Sequence, residues 1–236
     1  VDYDTDAAMR LEEPIDSNAI DGWPTGPVVG AEGAILLEAN TGTILYAKNI
    51  HEHLYPASTT KIVTALVALK YGNLDDVVTI GYNATHITEY GAKLCGFAEG
   101  DKITLKKLLY SFLICSGNDA GIAIAEHISG SVEKFAQLMN KEVKSLGCSG
   151  SNFVNPHGLH DDNHYTTPYD LYLVFHELLN YDVFMDIINQ SSYKAEFKGA
   201  DGSKKTLWFS STDKYLLGSA KAPEGVTVIG GKTGTT

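Results

Sequence analysis

The sequence lacks the features that direct a chain into a membrane or onto nucleic acid. No stretch of its 236 residues approaches the ~20 consecutive apolar residues of a transmembrane helix. Its 18 basic residues are outnumbered by 29 acidic ones, and the formal net charge is −11. No basic stripe can replace the counterions around phosphates, and the charge also disfavours an anionic lipid surface. We therefore predict no nucleic-acid partner, and contact with a membrane only through segments absent from this sequence.

Cysteine is scarce as well, and its spacing excludes the common metal and redox motifs. Cys95, Cys115 and Cys148 are the three cysteines of the chain. Three free thiols are the simplest interpretation, while a Cys95–Cys115 or a Cys95–Cys148 disulfide stays open. The chain also opens without the basic and apolar regions of a signal peptide, so we predict none in this sequence. These absences do not identify the cellular compartment.

The residues that are present divide the chain into two parts. Residues 1–27 are acidic, show no periodicity and end in a Gly- and Pro-rich run, which predicts a loose lead-in segment. Residues 28–236 carry the periodic segments and are predicted to form the catalytic domain. With 44% apolar residues, the chain is long enough to bury the core of one large domain or two small ones.

The periodic segments predict strands near both chain ends and helices between them. Strand patterns cover residues 34–38, 43–47, 193–197, 206–210 and 226–229. The first two flank an Asn-Thr-Gly turn, which is typical of a hairpin. Helix patterns with capping residues cover residues 58–71, 105–115, 118–128, a segment from Ser131 to Gly147, and a segment that begins after Thr167. We predict an α+β fold, with one antiparallel sheet built from both chain ends and packed with a helical cluster.

The first segment with a chemical interpretation is Ser58-x-x-Lys61, at the start of the predicted helix 58–71. Residues three apart share a helix face, so the Ser58 hydroxyl and the Lys61 amine can meet. Unpaired N–H groups in a first helical turn also favour developing negative charge. Serine becomes a nucleophile when a neighbour accepts its proton, and lysine can do so once burial or a second cation lowers its pKa. Alone this motif is weak evidence for catalysis, because a serine that caps a helix and is followed by a solvated lysine would give the same sequence pattern.

Two further motifs follow in sequence order. Ser116-Gly117-Asn118 lies at a predicted corner between two helices, where short polar side chains can point inward. Lys232-Thr233-Gly234 continues the predicted strand 226–229, and its glycine leaves room for a peptide to dock along the strand edge. Taken singly, the first could be an ordinary turn and the second an ordinary strand end. Three motifs in this order, each in the setting that its chemistry needs, favour one shared active site.

These motifs and their surroundings resemble the low-molecular-weight penicillin-binding proteins that act as D-alanyl-D-alanine carboxypeptidases, in the serine β-lactamase-like superfamily. The resemblance runs from about residue 33 to residue 236. Its most similar blocks are residues 56–61, 113–120, 153–159 and 165–171. It implies a β-lactamase/transpeptidase-like fold, a role in the cell wall, and a location outside the cytoplasm, because peptidoglycan lies there. Family members continue past the third motif, so we expect this chain to lack a further strand and helix and any following domain.

The resemblance also implies catalytic roles for individual residues. Ser58 attacks the carbonyl of the penultimate D-alanine of a peptidoglycan stem peptide and forms an acyl-enzyme, with Lys61 as the base. Ser116 passes a proton to the departing D-alanine. Lys232 lies close enough to keep Lys61 deprotonated. A β-lactam mimics the D-Ala-D-Ala end and acylates Ser58.

Further residues would bind the substrate. The resemblance implies that Asn118 holds the peptide backbone and that Lys232 and Thr233 receive the terminal carboxylate. The backbone N–H groups of Ser58 and Thr235 would form the oxyanion hole, worth ~3 kcal/mol per donor. No metal or other cofactor is predicted.

Other functions remain to be separated from this one. A class A β-lactamase needs a Glu-x-x-Leu-Asn loop, and the nearest string, at residues 177–180, lies in a predicted helix with the wrong spacing. A β-lactam sensor or inactive scaffold is disfavoured by the intact motifs, and a transpeptidase would use the same acyl-enzyme. Residues 155–165 hold His157, His160 and His164 in a predicted loop without the acid of a zinc-protease motif, so we interpret these histidines as structural or solvated. Asp119 could be catalytic, but a structural role at the start of a helix is favoured. Residues 155–159 are interpreted as a rigid turn, although such a loop could border the site.

Overall fold

Two antiparallel sheets and a cluster of helices make up residues 9–235, the part of the chain that the computed structural model describes. Strands β1 (Ala34–Glu38) and β2 (Thr43–Lys48) pair as a two-stranded sheet. The second sheet has the order β3-β4-β5-β6 and comprises Val77–Thr79, Lys102–Thr104, Ser192–Lys198 and Lys204–Ser210. The α+β class is confirmed, and the strands of the two chain ends lie in two sheets rather than in the one predicted sheet.

The helices lie between these strands in sequence. They are α1 (Lys61–Tyr71), α2 (Tyr82–Thr85), α3 (Leu105–Cys115), α4 (Asn118–Ser129), α5 (Val132–Ser145), α6 (Pro168–Leu178) and α7 (Asp182–Ile188). Two short 3₁₀ turns, Asp16–Ala19 and Ala57–Thr60, precede β1 and α1. Among residues 9–235, no helix is both long and apolar enough to cross a bilayer.

The predicted caps explain where three of these helices begin. The Thr104 hydroxyl accepts a hydrogen bond from the Lys107 N–H at the start of α3. The Ser131 hydroxyl accepts one from Lys134 before α5. Thr167 accepts one from Asp170 before α6, with Pro168 as the first helical residue. Each hydroxyl satisfies an N–H that has no partner inside the helix, which confirms these starts.

Helix α1 is the centre of the core. All its residues from Lys61 to Ala68 are buried, as the apolar pattern predicted. It packs against α4, α5 and α6 and against α3, whose Leu105, Leu108 and Phe112 are fully buried. Because these residues are buried in a close-packed interior, which leaves little room for movement, the first turns of α1 are held rigidly.

The described part of the lead-in segment is not loose. Its backbone and side chains bond to β2: the Ser17 hydroxyl accepts from the Ala47 N–H, and the Trp23 indole donates to the Leu45 carbonyl. The buried Lys48 ammonium donates to the Arg10 carbonyl. Residues 1–8 of the predicted segment lie outside the described residues.

Some elements differ from the sequence prediction. Strands β3 and β4 span three residues each and form through pairing between distant segments, as in Val78 opposite Ile103. Residues 226–229, predicted as a strand, are irregular, because nothing within residues 9–235 forms a ladder with them. The Lys232-Thr233-Gly234 motif therefore lies on an irregular, unpaired segment instead of on a strand edge.

Candidate active site

Ser58 lies in the 3₁₀ turn Ala57–Thr60, which leads directly into α1. Its side chain is half-buried and lines a cleft of about 560 Å³ together with Ser116, Thr233 and Thr235. The residue before it, Ala57, has a positive φ of 47°, a conformation that non-glycine residues adopt rarely. The chain therefore enters the turn with a sharp change of direction just before Ser58, whose hydroxyl lies between the buried start of α1 and the cleft.

Lys61 lies behind the wall of the cleft and makes three side-chain hydrogen bonds there. Its Nζ donates to Ser58 Oγ at 2.9 Å, to Asn118 Oδ1 at 2.8 Å and to the His157 carbonyl at 2.8 Å. The side chain has no solvent exposure. Burial, followed by the positive charge of Lys232, lowers the pKa of Lys61 to about 7. An amine with this pKa is partly neutral near pH 7 and can accept the proton of a hydroxyl beside it.

The loop 155–159 supplies a contact to this amine that the sequence did not identify. We predicted a rigid turn there, and Asn155 Oδ1 does accept hydrogen bonds from the N–H groups of His157 and Gly158. The His157 carbonyl is nevertheless a direct partner of Lys61. Gly158, at φ +92°, allows the close packing, since a Cβ there would lie 1.7 Å from the Ala57 carbonyl oxygen.

The corner between α3 and α4 places Ser116 beside the other two motifs. Ser116 ends α3 in the left-handed conformation, with φ 62° and ψ 32°. Its hydroxyl oxygen accepts a hydrogen bond from Lys232 Nζ at 3.1 Å. Among the described residues it makes no hydrogen bond to Ser58 or Lys61. The next polar residue of the corner, Asn118, is buried and meets Lys61 through its side-chain oxygen.

Lys232 lies on the irregular segment 226–235. Besides Ser116, its ammonium bonds to the carbonyl of Thr233 at 2.6 Å. Burial, and then the charge of Lys93, lower the pKa of Lys232 to about 8. Thr233 bonds to the Thr212 hydroxyl, and the backbone at Gly234 passes close to the Ser58 turn, with a built Cβ 3.2 Å from the Thr59 nitrogen. All seven predicted site residues therefore lie in or beside one cleft.

Asp119 has the structural role that the sequence suggested. It is buried, and its carboxylate accepts hydrogen bonds from the N–H groups of Cys95 and Gly96, both at 2.8 Å. The Asn118 N–H donates to the Lys93 carbonyl at 2.7 Å. Together these bonds fasten the segment 93–97 to the corner that carries Ser116.

Two of the histidines of the 155–165 loop, His157 and His164, are buried, whereas His160 is exposed. Burial lowers the pKa of His157 to about 3 and that of His164 to about 4. Nδ1 of His164 accepts from the Val154 N–H, so its Nε2 carries the proton and donates to the Thr60 hydroxyl. Within residues 9–235, no cluster of three or more His, Cys, Asp or Glu side chains has metal-site geometry.

The cysteines form neither of the two disulfides considered. All three are free, and Cys95 and Cys148 are buried. Burial raises the pKa of the Cys95 thiol, whereas a hydrogen bond from Cys95 lowers the pKa of Cys115.

Comparison with known proteins gives consistent matches. The family model described as D-alanyl-D-alanine carboxypeptidase matches residues 23–236. D-alanyl-D-alanine carboxypeptidase DacF of Bacillus subtilis is 37% identical over 192 residues, which cover 79% of this chain and 47% of that protein. DacA of Haemophilus influenzae is 37% identical over 155 residues, 64% of this chain and 39% of that protein. The chain thus spans less than half the length of these two relatives.

A solved structure matches over nearly the whole fold. The crystal structure of the Streptomyces K15 DD-transpeptidase superposes with a TM-score of 0.82 at 30% sequence identity. The match covers 90% of this chain and 83% of that one.

Proposed function

We propose that this chain, which belongs to the D-alanyl-D-alanine carboxypeptidase family, is the catalytic part of a serine D,D-carboxypeptidase. The substrate is a peptidoglycan stem peptide that ends in D-Ala-D-Ala, and the site of action lies outside the cytoplasm. One observation carries the proposal: a buried lysine with a pKa near 7 bonds to a hydroxyl that lines an open cleft. A second lysine–serine pair, Lys232 and Ser116, borders the same cleft.

In the first half of the reaction, Ser58 becomes acylated. The neutral fraction of Lys61 takes the hydroxyl proton while Ser58 Oγ bonds to the carbonyl carbon of the penultimate D-alanine. The resulting oxyanion is received by the N–H groups of Ser58 and Thr235. When the peptide C–N bond breaks, the leaving amine takes a proton through the Ser116 hydroxyl. D-alanine departs, and an ester remains on Ser58.

In the second half, water replaces the departed amino acid. Water adds to the ester carbonyl and gives up a proton to the lysine–serine network, and the bond to Ser58 Oγ breaks as the serine regains its proton. The products are the free enzyme and a peptide shortened by one D-alanine. A β-lactam follows the first half only, because its leaving group stays attached, and it leaves Ser58 blocked.

Besides Thr235 in the oxyanion hole, three residues are assigned to substrate binding. Lys232 and Thr233 receive the terminal carboxylate, which suits an ammonium beside an exposed hydroxyl. Asn118 uses its oxygen to bind Lys61, so its NH₂ group is the part that can donate to a substrate carbonyl. Gly234 adds no side chain where the peptide would lie along segment 233–235.

Mass spectrometry after incubation with penicillin tests the nucleophile. We expect one adduct, on the peptide that carries Ser58, and none in Ser58→Ala. Ser203→Ala removes an exposed hydroxyl in the turn between β5 and β6 and should acylate normally. An adduct on another residue would contradict the assignment.

Product analysis with a D-Ala-D-Ala peptide separates the alternatives. A carboxypeptidase releases D-alanine, with or without a zinc chelator. Lasting acylation without peptide cleavage would identify a β-lactam sensor, and rapid turnover of penicillin would identify a β-lactamase. Transfer of the acyl group to an added amine in preference to water would identify a transpeptidase.

A further inference from the structure

A third lysine, which belongs to none of the three motifs, lines the cleft. Lys93 is exposed and shares the cleft with Ser58 and Ser116. Within residues 9–235 its ammonium makes no ion pair with a carboxylate. Its positive charge acts on the catalytic groups, because it contributes to the lowered pKa of Lys61 and to that of Lys232.

The backbone of Lys93 is fixed relative to the catalytic groups. Its carbonyl accepts the Asn118 N–H at 2.7 Å. Two residues later, the buried Asp119 carboxylate accepts the N–H groups of Cys95 and Gly96. The segment is thus fastened to the α3–α4 corner itself, so the Lys93 side chain extends from a fixed backbone position into the cleft that Ser116 also lines.

The charge around the cleft is opposite to that of the whole chain. The protein has a formal net charge of −11, yet Lys93 and Lys214 line the cleft and Lys232 borders it. The acid among the lining residues, Asp213, is 7% exposed, and its Oδ1 accepts the Tyr215 N–H. Because these lysines outnumber the carboxylates of the cleft, the cleft favours a ligand with more than one negatively charged group.

We propose that Lys93 is a specificity-determining residue that binds a second carboxylate of the donor peptide, one that precedes the D-Ala-D-Ala pair. The inference rests on the proposed function, which assigns the terminal carboxylate to Lys232 and Thr233. The preferred substrates are then D-Ala-D-Ala peptides with an acidic side chain or a free α-carboxylate upstream. Peptides that are neutral there leave the Lys93 charge without a partner.

Matched peptide pairs measure this preference. Each pair ends in D-Ala-D-Ala and differs by glutamate or glutamine, placed one or two residues before the pair, so that size and hydrogen bonding stay nearly equal. We expect the wild type to cleave at least one glutamate peptide about threefold to fivefold better in kcat/KM, the range for an exposed ion pair. Lys93→Gln should bring that ratio to about one, and added salt should weaken the wild-type preference.

Two variants serve as controls. Lys141→Gln removes an exposed lysine on α5, outside the cleft, and should keep the wild-type ratio. Lys214→Gln removes the other lysine that lines the cleft. Penicillin adducts on Ser58 verify that each variant is folded.

The outcomes are distinguishable. An unchanged ratio in Lys93→Gln, or equal loss on both members of a pair, would overturn the role of Lys93. A ratio that collapses in Lys214→Gln alone would assign the carboxylate to Lys214 instead. If the wild type forms the adduct but releases D-alanine from neither peptide, the proposed function fails before the role of Lys93 is reached.

Discussion

Two amine–hydroxyl pairs meet in the cleft, and the fold holds them in opposite ways. Lys61 is fully buried at the start of a core helix, and its ammonium bonds to a turn, a helix start and a loop. Lys232 is half-buried on an unpaired segment, and it bonds to Ser116 and to the carbonyl of its own neighbour. The first pair is anchored by packing, and the second depends on few contacts.

This difference matches the two tasks of the proposed reaction. Proton transfer from Ser58 needs a base at constant distance and with a lowered pKa, which burial provides. Reception of a peptide carboxylate needs an ammonium that solvent and substrate can reach. The predictions below test this difference between the Lys61–Ser58 pair and the Lys232–Ser116 pair.

The largest expected effect comes from the buried base. Lys61→Arg keeps the positive charge but cannot release a proton near neutral pH, so we expect kcat/KM for D-alanine release to fall about 1,000-fold or more. Lys232→Met loses a charge-assisted contact to substrate, and we expect a fall of about 10- to 100-fold. Steady-state kinetics on one D-Ala-D-Ala peptide compare the two. Equal losses of kcat/KM in the two variants would contradict the assignment of proton transfer to Lys61 and carboxylate binding to Lys232.

A smaller effect is expected from the loop that supports the buried pair. In Gly158→Ala, the new methyl group would overlap the Ala57 carbonyl, and relief requires the loop to move away from Lys61. We expect the free energy of unfolding to fall by about 2–4 kcal/mol, with reduced acylation by penicillin. Gly147→Ala is the matched control, because Gly147 also has a positive φ, +90°, but has no atom within 4 Å of a built Cβ. It should cost about 1–2 kcal/mol and leave acylation intact. Urea denaturation measures both losses of unfolding free energy. Similar losses in Gly158→Ala and Gly147→Ala would show that the close approach to Ala57 is unimportant.

The smallest effect is a shift in the pH profile. Activity requires neutral Lys61 and charged Lys232, so kcat/KM should rise with pH through about 7 and fall above about 8. Lys232→Met removes a positive neighbour and makes protonation of Lys61 easier. We therefore expect the acid limb to move to higher pH and the alkaline limb to disappear. If the acid limb of Lys232→Met stays at the wild-type pH, the charge of Lys232 does not influence the pKa of Lys61.

The sequence predicted the elements that local chemistry decides. Thr104, Ser131 and Thr167 could be assigned as caps because a hydroxyl before an apolar helix has one main use. The Ser58–Lys61 contact was predictable from helical spacing, even though Ser58 lies in a 3₁₀ turn before α1. In each case the interacting groups are within a few residues of each other.

What the sequence missed depends on distant segments. The His157 carbonyl is a backbone group, so no residue type marks it as a partner of Lys61. Lys93 looks like any exposed lysine until the Asn118 N–H fixes its segment to the corner. Strand β3 is too short to carry a pattern, and residues 226–229 carry one without a ladder partner among residues 9–235.

The left-handed backbone of Ser116 has a consequence for how the protein can evolve. Helix ends of this kind usually carry glycine, which reaches positive φ without steric cost, whereas serine loses about 1 kcal/mol there. A glycine at this position would make the native state sturdier and would delete the hydroxyl that Lys232 binds. Backbone stability alone therefore favours glycine at this corner, and the proposed reaction, which uses the Ser116 hydroxyl, explains why serine stands there.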